Sequence, residues 1–293
     1  HGLGEDHFVY DMDVLPGGDR IATLGSDGAL QVWSAATGDV LHRLALGGDG
    51  GHSVLRALPD GDRVVTGVAD VLNSREAAIW SLAANRSVHR LHQPWSFLHR
   101  LEVSECGAKI VTAGAGVIFL WSTATGRLEL QLAAPTPAAC PMSLAVSRGG
   151  AVVVGSFSGE LLIWDGRSGH LLHTLPAGLD YAPHFALLHG GARVVAFGSS
   201  AWGTLWDVRS GERLGAFGGI GRDFDWEVQQ VVPSAEGGVV AACGGFGVQR
   251  AMVWRIDTGS LLRSELWPSP RLQAGFCSIA VGPWTTMADE LAE

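Results

Sequence analysis

Apolar residues fall in short runs along this chain, and each run is closed by glycine, aspartate or serine. In the first group FVYDMDVL ends at the turn PGGD, RIATL at GSDG and ALQVW at SAATGD, and VLHRLAL completes the set. Four short β-rich runs separated by turn residues predict a four-stranded antiparallel meander. The same order returns with RVVTG and EAAIW, KIVTAG and VIFLW, AVVVGS and ELLIW, RVVAFGS and GTLW, and VVAAC and AMVW. No segment carries the period of an amphipathic helix before the short tail TTMADELAE.

A tryptophan closes the third run of each group: Trp33, Trp80, Trp121, Trp164, Trp206 and Trp254, spaced by 47, 41, 43, 42 and 48 residues. Repeats of this length build solenoids or propellers, and four strands per unit without helices select the propeller blade. One such sheet has two apolar faces and is stable only when neighbours cover them. The tryptophan is placed to fill the wedge between blades. The Thr-Gly, Ser-Gly and Asn-Arg pairs after it fall where the chain must reverse, and glycine supplies the positive φ such a turn needs. The outer strands are expected near residues 40–46, 87–91, 127–132, 170–175, 212–217 and 260–266. The expected fold is therefore an all-β β-propeller of four-stranded antiparallel blades, six of them complete, over residues 1–275. Residues 276–293 follow as one extra strand, FCSIAVGPW, and an acidic tail. A seven-bladed ring would need residues beyond this chain.

The dipeptide Trp-Asp occurs at Trp164-Asp165 and Trp206-Asp207, with Ser34, Ser81, Ser122 and Arg255 after the other tryptophans, and a Gly-His pair stands at Gly51-His52. On these residues, across 7–266, the chain resembles the WD40-repeat β-propeller family. The resemblance implies a structural His–Ser/Thr–Asp–Trp relay in each blade. His7, Thr23, Asp27 and Trp33 match it in the first repeat, and His52, Thr66, Asp70 and Trp80 in the second. Repeats three to six lack the aspartate, with Gly116 and Ser158 at the matching points of the third and fourth. The resemblance also implies scaffolding between proteins.

Composition narrows the function. Apolar residues make up 47 % of the 293 and charged residues 17 %, enough for a large core and unlike a disordered chain. A net charge of −9 argues against general affinity for nucleic-acid phosphates or an anionic membrane surface. No apolar run reaches the roughly 18 residues of a membrane span. Cys106, Cys140, Cys243 and Cys277 are too far apart in sequence for a CxxC pair, and read as buried thiols of a reducing, intracellular compartment, with a Cys243–Cys277 bridge left open. The chain opens at His1 without methionine, which also admits a recognition or sensor domain of a larger protein.

Catalytic patterns fail one by one. SDGALQVW (Ser26 to Trp33) has serine, aspartate and glycine contiguous, unlike the alternating Asp box of sialidase propellers. Quinone-cofactor propellers place a tryptophan after Thr-Gly, where here it comes before. Asp223, Asp225 and Glu227 in GRDFDWEV form the one dense carboxylate cluster, and read as a solvated loop; an enzyme acting on a small or sugar substrate there is the less favoured alternative. The spacings of His89, His92 and His99, and of His184 and His189, match no ligand pattern. Neither a phosphate cradle nor a nucleophile elbow is present. The chain is thus expected to be no enzyme and to carry no cofactor or metal.

What is not repeated is the set of loops. The connections between blades share one face with the turns between middle strands, and that face collects aromatics. Trp95 and Phe97 come from QPWSF, Tyr181 from GLDYAPH, Phe224 and Trp226 from GRDFDWE, and Phe157, Trp202 and Phe246 from middle turns. With Arg222 and Arg100 nearby, these are the residue types of interface hot spots. The expected function is a non-catalytic protein–protein interaction scaffold, a subunit or domain of a multi-subunit complex. Its partners would be other proteins, with no direct nucleic-acid contact.

Overall fold

The computed structural model describes residues 9–46, 52–68, 76–92, 98, 100–114, 116–134, 143–157, 159–176, 184–197, 203–217, 228–234, 237–244 and 248–268. The extra strand and acidic tail expected at 276–293 lie outside them. The described residues form six four-stranded antiparallel sheets, each a meander in chain order. In strand number, order and direction each sheet fits the expected propeller blade. The first holds β1 (Val9–Val14), β2 (Arg20–Gly25), β3 (Ala29–Ser34) and β4 (Val40–Ala45). The second holds β5 (His52–Ala57), β6 (Arg63–Val68), β7 (Glu76–Ser81) and β8 (Arg86–His92). The third holds β9 (Arg100–Val103), β10 (Lys109–Gly114), β11 (Val117–Ser122) and β12 (Leu128–Ala133). In the fourth are β13 (Ser143–Val146), β14 (Val152–Phe157), β15 (Glu160–Asp165) and β16 (Leu171–Pro176). The fifth has β17 (His184–Leu188), β18 (Arg193–Phe197), β19 (Gly203–Asp207) and β20 (Arg213–Phe217). The sixth has β21 (Val228–Pro233), β22 (Val239–Gly244), β23 (Val248–Arg255) and β24 (Leu261–Pro268). The chain divides into two compact units, His1–Val153 with Asp165–His170, and Val154–Trp164 with Leu171–Glu293.

The repeated phrase becomes one local device. In all six sheets the pairing of the third and fourth strands slips by one residue at the tryptophan, a β-bulge. Beyond it the turn residue takes a left-handed backbone. Gly38, Gly126, Gly169, Gly211 and Gly259 do so with φ of 65–77°, and Asn85 does so at 52° in the second sheet. In four of the sheets the residue after the tryptophan caps the turn. Asp165 Oδ1 accepts the amides of Arg167 (2.7 Å) and Ser168 (2.8 Å), and Asp207 Oδ1 those of Arg209 (3.0 Å) and Ser210 (2.8 Å). Ser34 Oγ and Ser81 Oγ each accept one turn amide, from Thr37 and Ala84. Serine can therefore stand where aspartate stands, because either oxygen satisfies the turn.

Core packing lies between neighbouring sheets. In the first unit Trp80 and Leu55 of the second sheet pack with Leu24, Leu30 and Val32 of the first, and Trp121 and Leu101 of the third pack with Val65 and Ile79 of the second. In the second unit Trp254 meets Phe197 with ring centroids 4.8 Å apart, and Phe197 stacks on Phe217 at 6.0 Å. Five of the six tryptophans are at most 8 % exposed; Trp33 alone is half-buried. Its sheet face also carries Met12 and Val14, which are 60 % and 53 % exposed.

One cysteine, Cys106, departs from the expectation of buried thiols. Cys106 is free but exposed, because it sits in the turn after β9. Cys243, wholly buried on β22, is disulfide-bonded. Among the described residues no helix is long and apolar enough to cross a membrane.

Candidate functional site on the first strands

The densest charged network of the first unit lies on β1, β5 and β9, the first strands of three successive sheets. Each is the edge of its own sheet, so half of its backbone N–H groups have no ladder partner. The aspartates at alternate positions of VYDMDV meet that need for the neighbouring β5. Asp11 Oδ2 accepts the Leu55 amide at 2.9 Å, and Asp13 Oδ2 accepts the Ala57 amide at 2.8 Å. Two carboxylates on one strand thus satisfy two free donors on the next.

Arg56 ties the three strands together. Its guanidinium reaches Asp11 Oδ2 at 3.1 Å and grips Glu102 in a fork, Nη2 to Oε1 at 3.0 Å and Nε to Oε2 at 3.3 Å. It also donates to the Leu55 carbonyl at 2.7 Å. The Glu102 charge raises the Arg56 pKa further, against the cost of burial, with Asp11 and Asp13 adding to it. Arg100, on the same strand as Glu102, is shifted down, first by burial and then by repulsion from Arg56, with Glu102 opposing. Burial raises the Asp13 pKa, even though the amides of Ala57 and Val14 and the charge of Arg56 pull it down. Beside this network the ends of β1, β5 and β9 enclose an open cavity of about 280 Å³, bordered by Asp13, Val14, Pro59, Val103 and Glu105.

Chemically, the network is a set of ties. Asp11, Asp13 and Glu102 accept strand amides or a guanidinium, and among the described residues none is paired with a nucleophile or a histidine. Among the described residues no group of three potential metal ligands is brought together.

The structure places the expected residues unevenly. Trp33 Nε1 donates to Thr23 Oγ1 at 2.7 Å, and Trp80 Nε1 to Thr66 Oγ1 at 2.9 Å. Asp27 accepts the Ala29 amide at 3.1 Å and pairs with Arg43 at 2.7 Å, closing the turn after β2. His7 and Asp70 lie outside the described residues, and His52 opens β5. The third sheet repeats the indole bond, Trp121 to Thr112 at 2.9 Å, without an aspartate at the matching turn. In the fifth, where Ala196 occupies the threonine position, Thr204 two residues before Trp206 accepts instead, at 3.0 Å.

Of the aromatic face, Phe157 ends β14 and Arg100 opens β9. Trp95, Phe97, Tyr181, Trp202, Arg222, Phe224, Trp226 and Phe246 lie outside the described residues, as do Asp223, Asp225, Glu227 and His99. His89 accepts a turn role: its Nε2 is 3.1 Å from the Ala124 carbonyl, and His173 Nε2 is 3.1 Å from that of Arg209. The Asp11–Arg56–Glu102 network was not anticipated from sequence. Its signal is a charged residue on each of the three first strands, at alternate positions in VYDMDV and RLEV and singly in HSVLRA.

Compared with known proteins, the chain matches no family model and no curated protein sequence.

Proposed function

We propose that this chain is a non-catalytic scaffold for protein–protein interaction, a WD40-like propeller that serves as a subunit or domain of a larger assembly. The observation that carries the reading is the use made of charged side chains in the blades. Asp11, Asp13, Arg56 and Glu102 hold strand to strand, and Asp165 and Asp207 hold turns, so the polar chemistry of the repeats is structural. Rigid sheets of this kind present their variable loops to partners with little rearrangement. The Trp-Asp and Trp-Ser turns and the Thr–Trp bonds support the WD40 likeness.

The partner face in this reading is the aromatic loop set with Trp95 and Trp226. Trp95→Ala or Trp226→Ala should weaken binding of a co-purified partner by about 2 kcal/mol or more while the β-sheet circular dichroism is unchanged. Unchanged affinity of both variants in a calorimetric titration against that partner would remove this face from consideration.

A further inference from the structure

The cavity at the ends of β1, β5 and β9 lies beside the turns joining first to second strands. We propose that it receives a lysine or arginine side chain from a partner peptide. The inference rests on the scaffold reading and gives that scaffold a second contact of defined chemistry.

Three observations carry it. The first is shape and lining: about 280 Å³, open to solvent, with Val14, Pro16, Pro59 and Val103 as apolar walls and Asp13 and Glu105 as the acidic groups. A long basic side chain fits such a site, its methylene stem against the walls and its charged head at the carboxylates.

The second is that Asp13 has no side-chain hydrogen-bond partner among the described residues. Arg56 is hydrogen-bonded to Asp11 and Glu102 and acts on Asp13 by its charge alone, while the hydrogen bonds of Asp13 come from the backbone amides of Ala57 and Val14. Burial holds the Asp13 carboxyl above its usual range, so an entering cation would relieve a cost that the fold now bears. Glu105 is exposed at the rim and has no hydrogen bond or ion pair among the described residues.

The third is the long-range field. A chain with a net charge of −9 attracts a basic peptide before contact. The neighbouring polar groups do not compete for the site. Ser104 is wholly buried, with its Oγ accepting the Lys109 amide at 2.9 Å, and Lys109 is paired with Glu129.

The test titrates the full chain with the peptides Ac-Ala-Arg-Ala-NH2 and Ac-Ala-Lys-Ala-NH2, and with the citrulline peptide as a neutral isostere of arginine. The basic peptides should bind weakly and the citrulline peptide about fivefold more weakly still. Glu105→Gln and Asp13→Asn should each cost about fivefold, and raised salt should weaken binding of the parent. Asparagine at 13 keeps an oxygen for the Ala57 amide, and circular dichroism checks that each variant is folded. Equal binding of the citrulline peptide, unchanged affinity in both variants, or no binding of either basic peptide overturns the proposal. Failure here with partner loss in Trp95→Ala leaves the scaffold reading standing. Peptide binding with no partner loss in the tryptophan variants removes the aromatic face instead.

Discussion

Met12 stands opposite Thr23 in the first sheet as Leu55 stands opposite Thr66 in the second, yet Met12 is 60 % exposed and Leu55 is wholly buried. The two share a register position and a direction, and differ in that Leu55 packs against Leu24, Leu30 and Val32 of the first sheet. Leu55→Ala should therefore cost about 2–5 kcal/mol, and Met12→Ala less than about 0.5 kcal/mol. Urea unfolding of both variants measures the difference. A comparable loss at both positions would mean that Met12 is covered in solution.

The indole bonds offer a graded series. Thr66 and Thr112 are fully buried acceptors, and replacing either by valine keeps the shape while stranding a tryptophan N–H. Thr112→Val and Thr66→Val should each lose about 1–3 kcal/mol. At Thr23, partner of the half-buried Trp33, water can replace the acceptor and the loss should be smaller. Equal midpoints for all three variants would contradict a role for burial in these bonds.

Two glycines separate backbone strain from crowding. Gly38 and Gly126 occupy the same turn with φ of 74° and 65°. A Cβ on Gly38 meets nothing within 4 Å, whereas one on Gly126 would lie 2.6 Å from His89 Cβ. Gly38→Ala should cost about 1 kcal/mol from the left-handed backbone, and Gly126→Ala distinctly more. The same stability for the two variants would rule out the histidine as the cause.

Acid should act through two opposed groups. Backbone amides of Ser168 and Arg167 hold the Asp165 pKa below the usual carboxylate range, and the Ser210 amide does the same for Asp207. Their contribution is present above the unfolded value of about 4 and fades as pH falls through the lower folded value. Asp13 is raised, so its contribution is full below about pH 4 and lost as pH rises through the folded value. Asp13→Asn should thus gain stability relative to the parent more at neutral than at acid pH, while Asp165→Ser flattens the acid limb. Melting temperatures from pH 3 to 7 give both profiles, and parallel curves for parent and Asp13→Asn would refute the assignment.

The strands were legible because each needs only local pattern. Outer strands expected at 40–46 and 212–217 are found at Val40–Ala45 and Arg213–Phe217, since the bulge at Trp33 or Trp206 and the following glycine fix where the strand begins. The cross-sheet ties were not legible. Asp11 and Asp13 look like ordinary solvent-facing strand residues, and nothing in VYDMDV announces that the amides of Leu55 and Ala57 need them. Cys106 misled for a similar reason: burial of a thiol depends on where a turn falls, and this one falls on the outside.

The Asp11, Asp13 and Arg56 ties join residues 44 to 46 apart, close to one repeat, and the His89 and His173 contacts join residues 35 and 36 apart. Each of these contacts passes from one sheet to the next in sequence, so within a unit order is handed from neighbour to neighbour. Within a unit, a lesion in one sheet should then be felt most by the sheet next to it in sequence. For such a molecule the hydrogen-exchange map after a single core substitution would be a gradient centred on the altered sheet.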